Sequence, residues 1–399
     1  MGLFSFAAFG NDGMYSSNKS HFRLVSATYP KRIIHHFTKM KRIILSVSLF
    51  AACISTFAQS SESGKPKQPK NVIFMVGDGM GVSQIYAGMV ANKNTLNLER
   101  AQFIGFHKNQ SADSFITDSA AGATAFSIGK KAKNGAIGVD ANDKPQRTIL
   151  EIAEEKGLAT GLVATCSITH ATPAAFIGHQ PKRAMTQEIA KDFLDTDVDV
   201  FIGGGRADFN QRRDGANLID SLKIRGYQIA NNIEEVQKIK SGKLAGFLAD
   251  KEQPRFSKGR GDELSISSET ALDILKQNEK GFFLVIEGSQ IDWGGHANDT
   301  DYIIEEMKDF DKVIGEVFDF AAKDGETLVI ITADHETGGF SINGGSTETG
   351  EVKGAYTTGG HTGVMIPVLA FGPGAQAFSG FYENTAIFDK MMNALKLQK

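Results

Sequence analysis

Several short runs of this chain are apolar at every position, and they constrain its fold more than any other feature. Residues 72–76, 162–165, 200–203, 282–286, 328–332 and 368–371 read as strands, several of them lacking the alternation that a half-wetted sheet requires. Strands of that kind must be covered on both faces, as in a parallel sheet packed between helices. Helical patterns fill 148–156, 185–194, 268–278, 301–322 and 385–397. The alternation predicts an α/β fold, a three-layer sandwich with a largely parallel central sheet flanked by helices. A chain of 399 residues, 41% hydrophobic, can bury such a core in one large domain or two. The mixed, charged stretch 206–262 reads as a small peripheral insertion, and the Gly-rich stretch 338–360 as a long loop, unusual enough to suggest function.

The charge is unevenly spread. Residues 1–58 carry seven Lys/Arg and one Asp, leaving 36 basic against 45 acidic residues in the remainder, so no nucleic-acid-binding surface is implied. Met40-Lys41-Arg42 followed by an apolar run at 43–53 and by Thr56-Phe57-Ala58 has the order of a signal peptide cleaved after Ala58. Export to the periplasm or the extracellular space follows. The run is far below the roughly 20 residues that span a bilayer, so no membrane span is expected after cleavage. A lipid anchor on Cys53 is the minor alternative, since Phe50 is a poor residue three places before such a cysteine. Residues 1–39 then stand as an upstream extension, 59–70 as a polar linker, and 71–399 as the folded domain. Loss of Cys53 leaves Cys166 alone, without an intramolecular disulfide, so stability must come from core, metals or subunit contacts.

Ligands of open α/β sheets bind beyond the carboxyl ends of the strands. Three apolar runs end in acids there: 72–76 leads to Asp78, 282–286 to Glu287 and 328–332 to Asp334. One such acid is a helix cap by default. Three converging carboxylates repel one another unless cations lie between them. Of the six histidines after the leader (His107, His170, His179, His296, His335 and His361), His335 adjoins Asp334, His296 follows Asp292 by four positions, and His361 ends a Gly-rich segment. Mixed imidazole and carboxylate sets suit zinc, and all-oxygen sets suit magnesium.

Ser119 begins a helix of small residues in Thr117-Asp118-Ser119-Ala120-Ala121-Gly122. Taken alone it is an N-cap candidate. The free N–H groups and positive dipole end of a helix also receive phosphate, and alanine and glycine let an anion approach. Neither a Gly-x-Ser-x-Gly elbow nor a Ser–His–Asp order is evident, so a histidine base is not the leading reading; a zinc ion can activate the hydroxyl instead, as zinc lowers the pKa of bound water to about 7.

In chain order, Gly77-Asp78-Gly79-Met80-Gly81, Thr117-Asp118-Ser119-Ala120-Ala121, His170-Ala171-Thr172-Pro173-Ala174-Ala175, Glu287-Gly288-Ser289-Gln290-Ile291-Asp292 with His296, Thr332-Ala333-Asp334-His335 and His361-Thr362-Gly363 resemble the alkaline phosphatase family across most of 71–399. The resemblance implies hydrolysis of phosphate monoesters through a phosphoserine on Ser119, with two zinc ions and one magnesium, usually in a homodimer. It puts Asp292, His296 and His361 on one zinc, and Asp334, His335, Asp78 and Ser119 around the other. Asp78 bridges to a magnesium completed by Thr172 and Glu287, and Arg183 is the phosphate clamp, a role its paired donors suit. His170, Trp293 and Asp118 fall in the surrounding layer. His170 stands where many members carry an aspartate, and Trp293 where many carry a lysine that reaches phosphate through water. These departures imply a weaker third metal and faster phosphate release. The competing readings are a phosphodiesterase of the same superfamily and a non-catalytic phosphate- or metal-binding protein. A sulfatase needs a modified residue in a different motif, and Cys166 is not so placed.

Overall fold

The run expected at 72–76 forms β1 (Asn71–Gly77), buried throughout, near the middle of a ten-stranded sheet in the computed structural model of the chain, which describes residues 68–398. The chain continues through β2 (Phe103–Lys108), β3 (Ala159–Ser167), β4 (Val200–Gly204), β5 (Gln228–Ala230), β6 (Leu244–Phe247), β7 (Phe282–Gly288) and β8 (Thr327–Thr332). Four short strands outside this sheet follow, β9 (Glu336–Thr337), β10 (Ser341–Ser346), β11 (Glu351–Ala355) and β12 (His361–Thr362), before β13 (Ile366–Phe371) and β14 (Gly380–Glu383) close it. The spatial order is β14-β2-β13-β8-β1-β7-β3-β4-β6-β5. From β8 to β5 all neighbours are parallel, whereas β13 runs antiparallel to β8 and β2.

β1 shows why its run lacks alternation. Val72, Phe74 and Val76 enter one core with Phe126, Ile149 and Phe388, while Ile73 and Met75 enter the other with Ile85, Leu272 and Phe310. Helices cover both faces, so each side of the strand is dry. The helix Thr300–Asp324 is the longest, capped by Asp299 Oδ1, which accepts from the Tyr302 N–H at 3.0 Å, and ended by Gly325 in the left-handed region.

Three expectations change. The helix expected at 268–278 spans Glu263–Leu275; its first turns hold Ser267 and Ser268, buried although polar, which hides the apolar stripe. The stretch 206–262 is not only peripheral, because β5 and β6 extend the central sheet at one edge; each is too short to show periodicity. The expected loop at 338–360 carries the antiparallel hairpin of β10 and β11, whose Ser, Asn and Gly residues are largely solvated and give no apolar signal. The upstream extension, the leader with Cys53 and most of the linker lie outside the described residues. Among the described residues no helix is long and apolar enough to cross a membrane.

Candidate metal and phosphate site

β8, β1, β7 and β3 lie side by side and run parallel, so their carboxyl ends open along one edge. Asp334 follows β8, Asp78 follows β1, Glu287 is the penultimate residue of β7, and Thr172 lies in the short helix Ala171–Ala174 after β3. All four are fully buried. Both carboxylate oxygens of Asp78, Asp334 Oδ2, Glu287 Oε1 and Thr172 Oγ1 have no hydrogen-bond partner. Isolated atoms of this kind occur elsewhere in the fold, but five together on three carboxylates and a hydroxyl point to a bound cation. Burial and mutual repulsion push Asp78 well above the usual carboxylate range and Glu287 to about 7, chiefly through desolvation. Gly79 makes the turn possible: its φ is +74°, and a Cβ there would meet the Asp292 Cα at 2.6 Å.

Asp292 and His296 share one face of the helix Gln290–His296. His361 comes from β12, which pairs antiparallel with β9, bringing it opposite Thr337 and beside His335. The His335 and His361 rings stack at 3.5 Å between centroids. Each ring has its Nδ1 committed: His296 to the Gly359 carbonyl at 2.7 Å, His361 to the Thr117 carbonyl at 2.9 Å, and His335 to the Thr337 hydroxyl at 3.2 Å. Carbonyl oxygens only accept, so Nδ1 of His296 and His361 donates, and in the neutral form of each ring the lone pair is on Nε2. Those two Nε2 atoms face each other at 3.2 Å, with Asp292 oxygens 3.4 Å from His296 and 3.6 Å from His361. Opposed lone pairs repel unless a cation lies between them, and two imidazoles with a carboxylate are a zinc donor set.

His335 Nε2 stands 3.2 Å from Asp334 Oδ2, 3.5 Å from Asp78 Oδ1 and 3.2 Å from Ser119 Oγ. Burial, with His361 second, pushes the ring well below its ordinary pKa, so a proton is disfavoured where the carboxylates invite positive charge. A metal ion fits that position.

Ser119 is the first residue of the helix Ser119–Ile128, and Asp118 is the cap, its Oδ1 accepting from the Ala121 N–H at 3.0 Å. The hydroxyl of Ser119 is thereby spared from capping. Gly122 keeps this helix close to the acids, since a Cβ there would meet the Asp334 Cβ at 2.9 Å. Asp118 Oδ2 accepts from the Gly135 N–H at 3.0 Å and from Arg183 Nη1 at 3.3 Å, while Arg183 Nη2 donates to His170 Nε2 at 3.0 Å. Burial, with Arg183 second, lowers the His170 pKa to about 3, which keeps the ring an acceptor. Trp293 packs edge-on against His170 at 6.2 Å. The residues named for the metals, for phosphate and for the surrounding layer therefore lie in one region. His107 and His179 do not: His107 donates to the Ala333 carbonyl behind the site, and His179 lies between Glu151 and Gly138.

The family model described as alkaline phosphatase matches residues 69–356, well over half of the chain. The chain belongs to the alkaline phosphatase family. Alkaline phosphatase 3 of Bacillus subtilis is 33% identical over 454 residues, covering 92% of this chain and 98% of the relative. Alkaline phosphatase of Escherichia coli is 31% identical over 415 residues, covering 84% and 88%. Alkaline phosphatase from the Antarctic bacterium TAB5 superposes with a TM-score of 0.80 at 42% identity, over 84% of this chain and all of that one. A histidine-to-aspartate variant of the TAB5 enzyme is described with Mg bound in its M3 site. This alkaline phosphatase is thus a metal-dependent phosphoric monoester hydrolase.

Residues of this alkaline phosphatase that the sequence did not single out support the site. Thr337 donates its hydroxyl proton to Asp292 Oδ1 while facing His335 Nδ1, and so orients a carboxylate and a ring together. Gln84 donates to Glu336 Oε1 and to the Thr337 carbonyl, each at 2.8 Å, fixing β9. Thr337 and Glu336 carry a sequence signal in standing two and one residues after His335, whereas Gln84 carries none. Cys166, near the end of β3, has its sulfur 3.3 Å from both Glu287 Oε2 and the Ser167 carbonyl, either of which can accept its one proton.

Proposed function

We propose that this alkaline phosphatase cleaves phosphate monoesters through a phosphoserine on Ser119. In this reading Asp292, His296 and His361 hold one zinc ion and Asp78, Asp334 and His335 a second. Asp78, Thr172 and Glu287 hold a third cation, for which the family resemblance implies magnesium. The observation that carries the reading is the pair of His296 and His361 Nε2 lone pairs opposed at 3.2 Å beside Asp292, an arrangement suited to zinc. When bound, the cations supply Lewis-acid polarisation and neutralise charge on the phosphoryl group.

The chain's own residues do the rest. Ser119 Oγ attacks phosphorus in line, its P–O bond forms as the bond to the alcohol breaks, the serine proton passes to solvent, and the departing alkoxide takes a proton from solvent to leave as the alcohol. Water then attacks from the vacated side and returns Ser119 as the free hydroxyl, so two inversions leave net retention. Arg183 presents its guanidinium to two phosphate oxygens, oriented by Asp118 and His170. The helix that Ser119 begins turns its N–H groups toward the same anion.

A serine–histidine dyad is the one other reading a specific distance favours, since Ser119 Oγ lies 3.2 Å from His335 Nε2. A base with a pKa held well below neutrality removes a proton poorly. Chelation separates the two. The zinc reading expects hydrolysis of p-nitrophenyl phosphate to vanish on chelation and return with zinc and magnesium. It also expects acid quenching during turnover to trap phosphate on Ser119 but not in Ser119→Ala. Full activity of the stripped protein, or preference for the bis-ester over the monoester, would overturn it.

A further inference from the structure

We propose that Cys166 is a ligand of the third cation site, through a thiolate, and that it makes this site favour zinc over magnesium. The inference rests on the third site of the reading above. Cys166 is completely buried at the end of β3, and its sulfur, a ring nitrogen of His170 and a carboxylate oxygen of Glu287 lie within 4.8 Å of one another. Two fully buried groups point to a ligand there independently of the cysteine: Glu287 Oε1 and Thr172 Oγ1, both without a partner.

The spacing suits a shared cation. Zinc–sulfur and zinc–oxygen bonds of about 2.3 and 2.1 Å at a tetrahedral angle put the two donors roughly 3.6 Å apart. The Cys166 Sγ to Glu287 Oε2 distance is 3.3 Å, so small side-chain movements turn this S···O contact into two bonds to one ion. Binding releases the thiol proton to solvent and leaves sulfur as the thiolate. A hard octahedral cation such as magnesium takes oxygen donors, whereas thiolate selects borderline cations such as zinc and cobalt. His170 Nε2 accepts from Arg183, so the neutral ring carries its one proton on Nδ1, which has no partner, and neither nitrogen offers a free lone pair; sulfur is then the soft donor at this end of the site.

Cobalt reports the ligand directly. The full chain with Cys53→Ser has Cys166 as its single thiol. It is stripped by chelation and titrated with Co2+ while the near-ultraviolet absorption is followed. The expected result is a sulfur-to-cobalt charge-transfer band that appears with the third equivalent and is absent from Cys166→Ser. Zinc preference over magnesium at that equivalent should also fall by about tenfold or more in the variant. Three bound equivalents without the band would overturn the thiolate and leave the third site standing. Two bound equivalents would overturn both. Should Cys166→Ser fail to fold, the presence or absence of the band in the parent protein still decides.

Discussion

Arg183 is tied to the start of the Ser119 helix by Asp118, whose Oδ2 accepts from Arg183 Nη1 at 3.3 Å while its Oδ1 caps the helix at the Ala121 N–H. One carboxylate thus orients the proposed clamp and frees the proposed nucleophile from capping. The two duties separate by substitution. Asparagine still caps a helix, so Asp118→Asn should melt close to the parent, whereas Asp118→Ala should lose about 1 kcal/mol. Both lose the charged partner of Arg183, so inhibition by inorganic phosphate should weaken several-fold in each. Thermal melts beside phosphate inhibition constants check this; unchanged inhibition in both variants counts against the tether.

Thr337→Val keeps the shape of β9 but removes the hydroxyl between Asp292 and His335. Loss of such a supporting hydrogen bond costs about 10- to 100-fold in metal affinity. Zinc retention during dialysis against graded chelator should show that loss, with the far-ultraviolet circular dichroism unchanged. Retention equal to the parent would mean the hydroxyl orients nothing.

Trp293 packs on His170, which holds Arg183. Trp293→Lys introduces a flexible cation beside that pair, and phosphate inhibition should tighten as the product gains a charged partner. An unchanged inhibition constant would make Trp293 a packing residue alone.

Glu263 lies far from this chemistry and reports on pH-dependent stability. Burial, with Arg260 opposing and Glu234 adding repulsion, lifts its pKa from 4.5 to about 7, and its Oε2 has no partner. With the folded value raised, the unfolded chain gives up this proton first. The group's contribution is complete below about pH 4.5 and lost as pH rises through about 7. Glu263→Gln stays neutral, so it should gain about 1 kcal/mol, roughly 2 °C in melting temperature, at pH 8 and nothing near pH 4. A gain that does not vary with pH would contradict the shift.

Much of the fold is legible in the sequence because a strand covered on both faces carries an unbroken apolar run, and β1, β3, β4, β7 and β8, buried at every position, each contain one. The edge strands β5 and β6 and the hairpin of β10 and β11 are not, because short or solvated strands carry no such run. The sequence by itself determined the donor types and their order, since Asp78, Glu287 and Asp334 stand where apolar runs end. It also determined membership of a family, through spaced motifs.

The family resemblance implied which donors meet; only the tertiary structure decided how they are brought together. Strand order is a long-range property: β8, β1 and β7 are neighbours although about 200 residues separate Asp78 from Glu287 along the chain, and pairing across such loops leaves no local trace. Side-chain roles are equally non-local. That Asp118 takes the cap and spares Ser119, that Thr337 joins Asp292 to His335, and that the Cys166 sulfur faces Glu287 depend on hydrogen bonds between segments that come together only when the core closes.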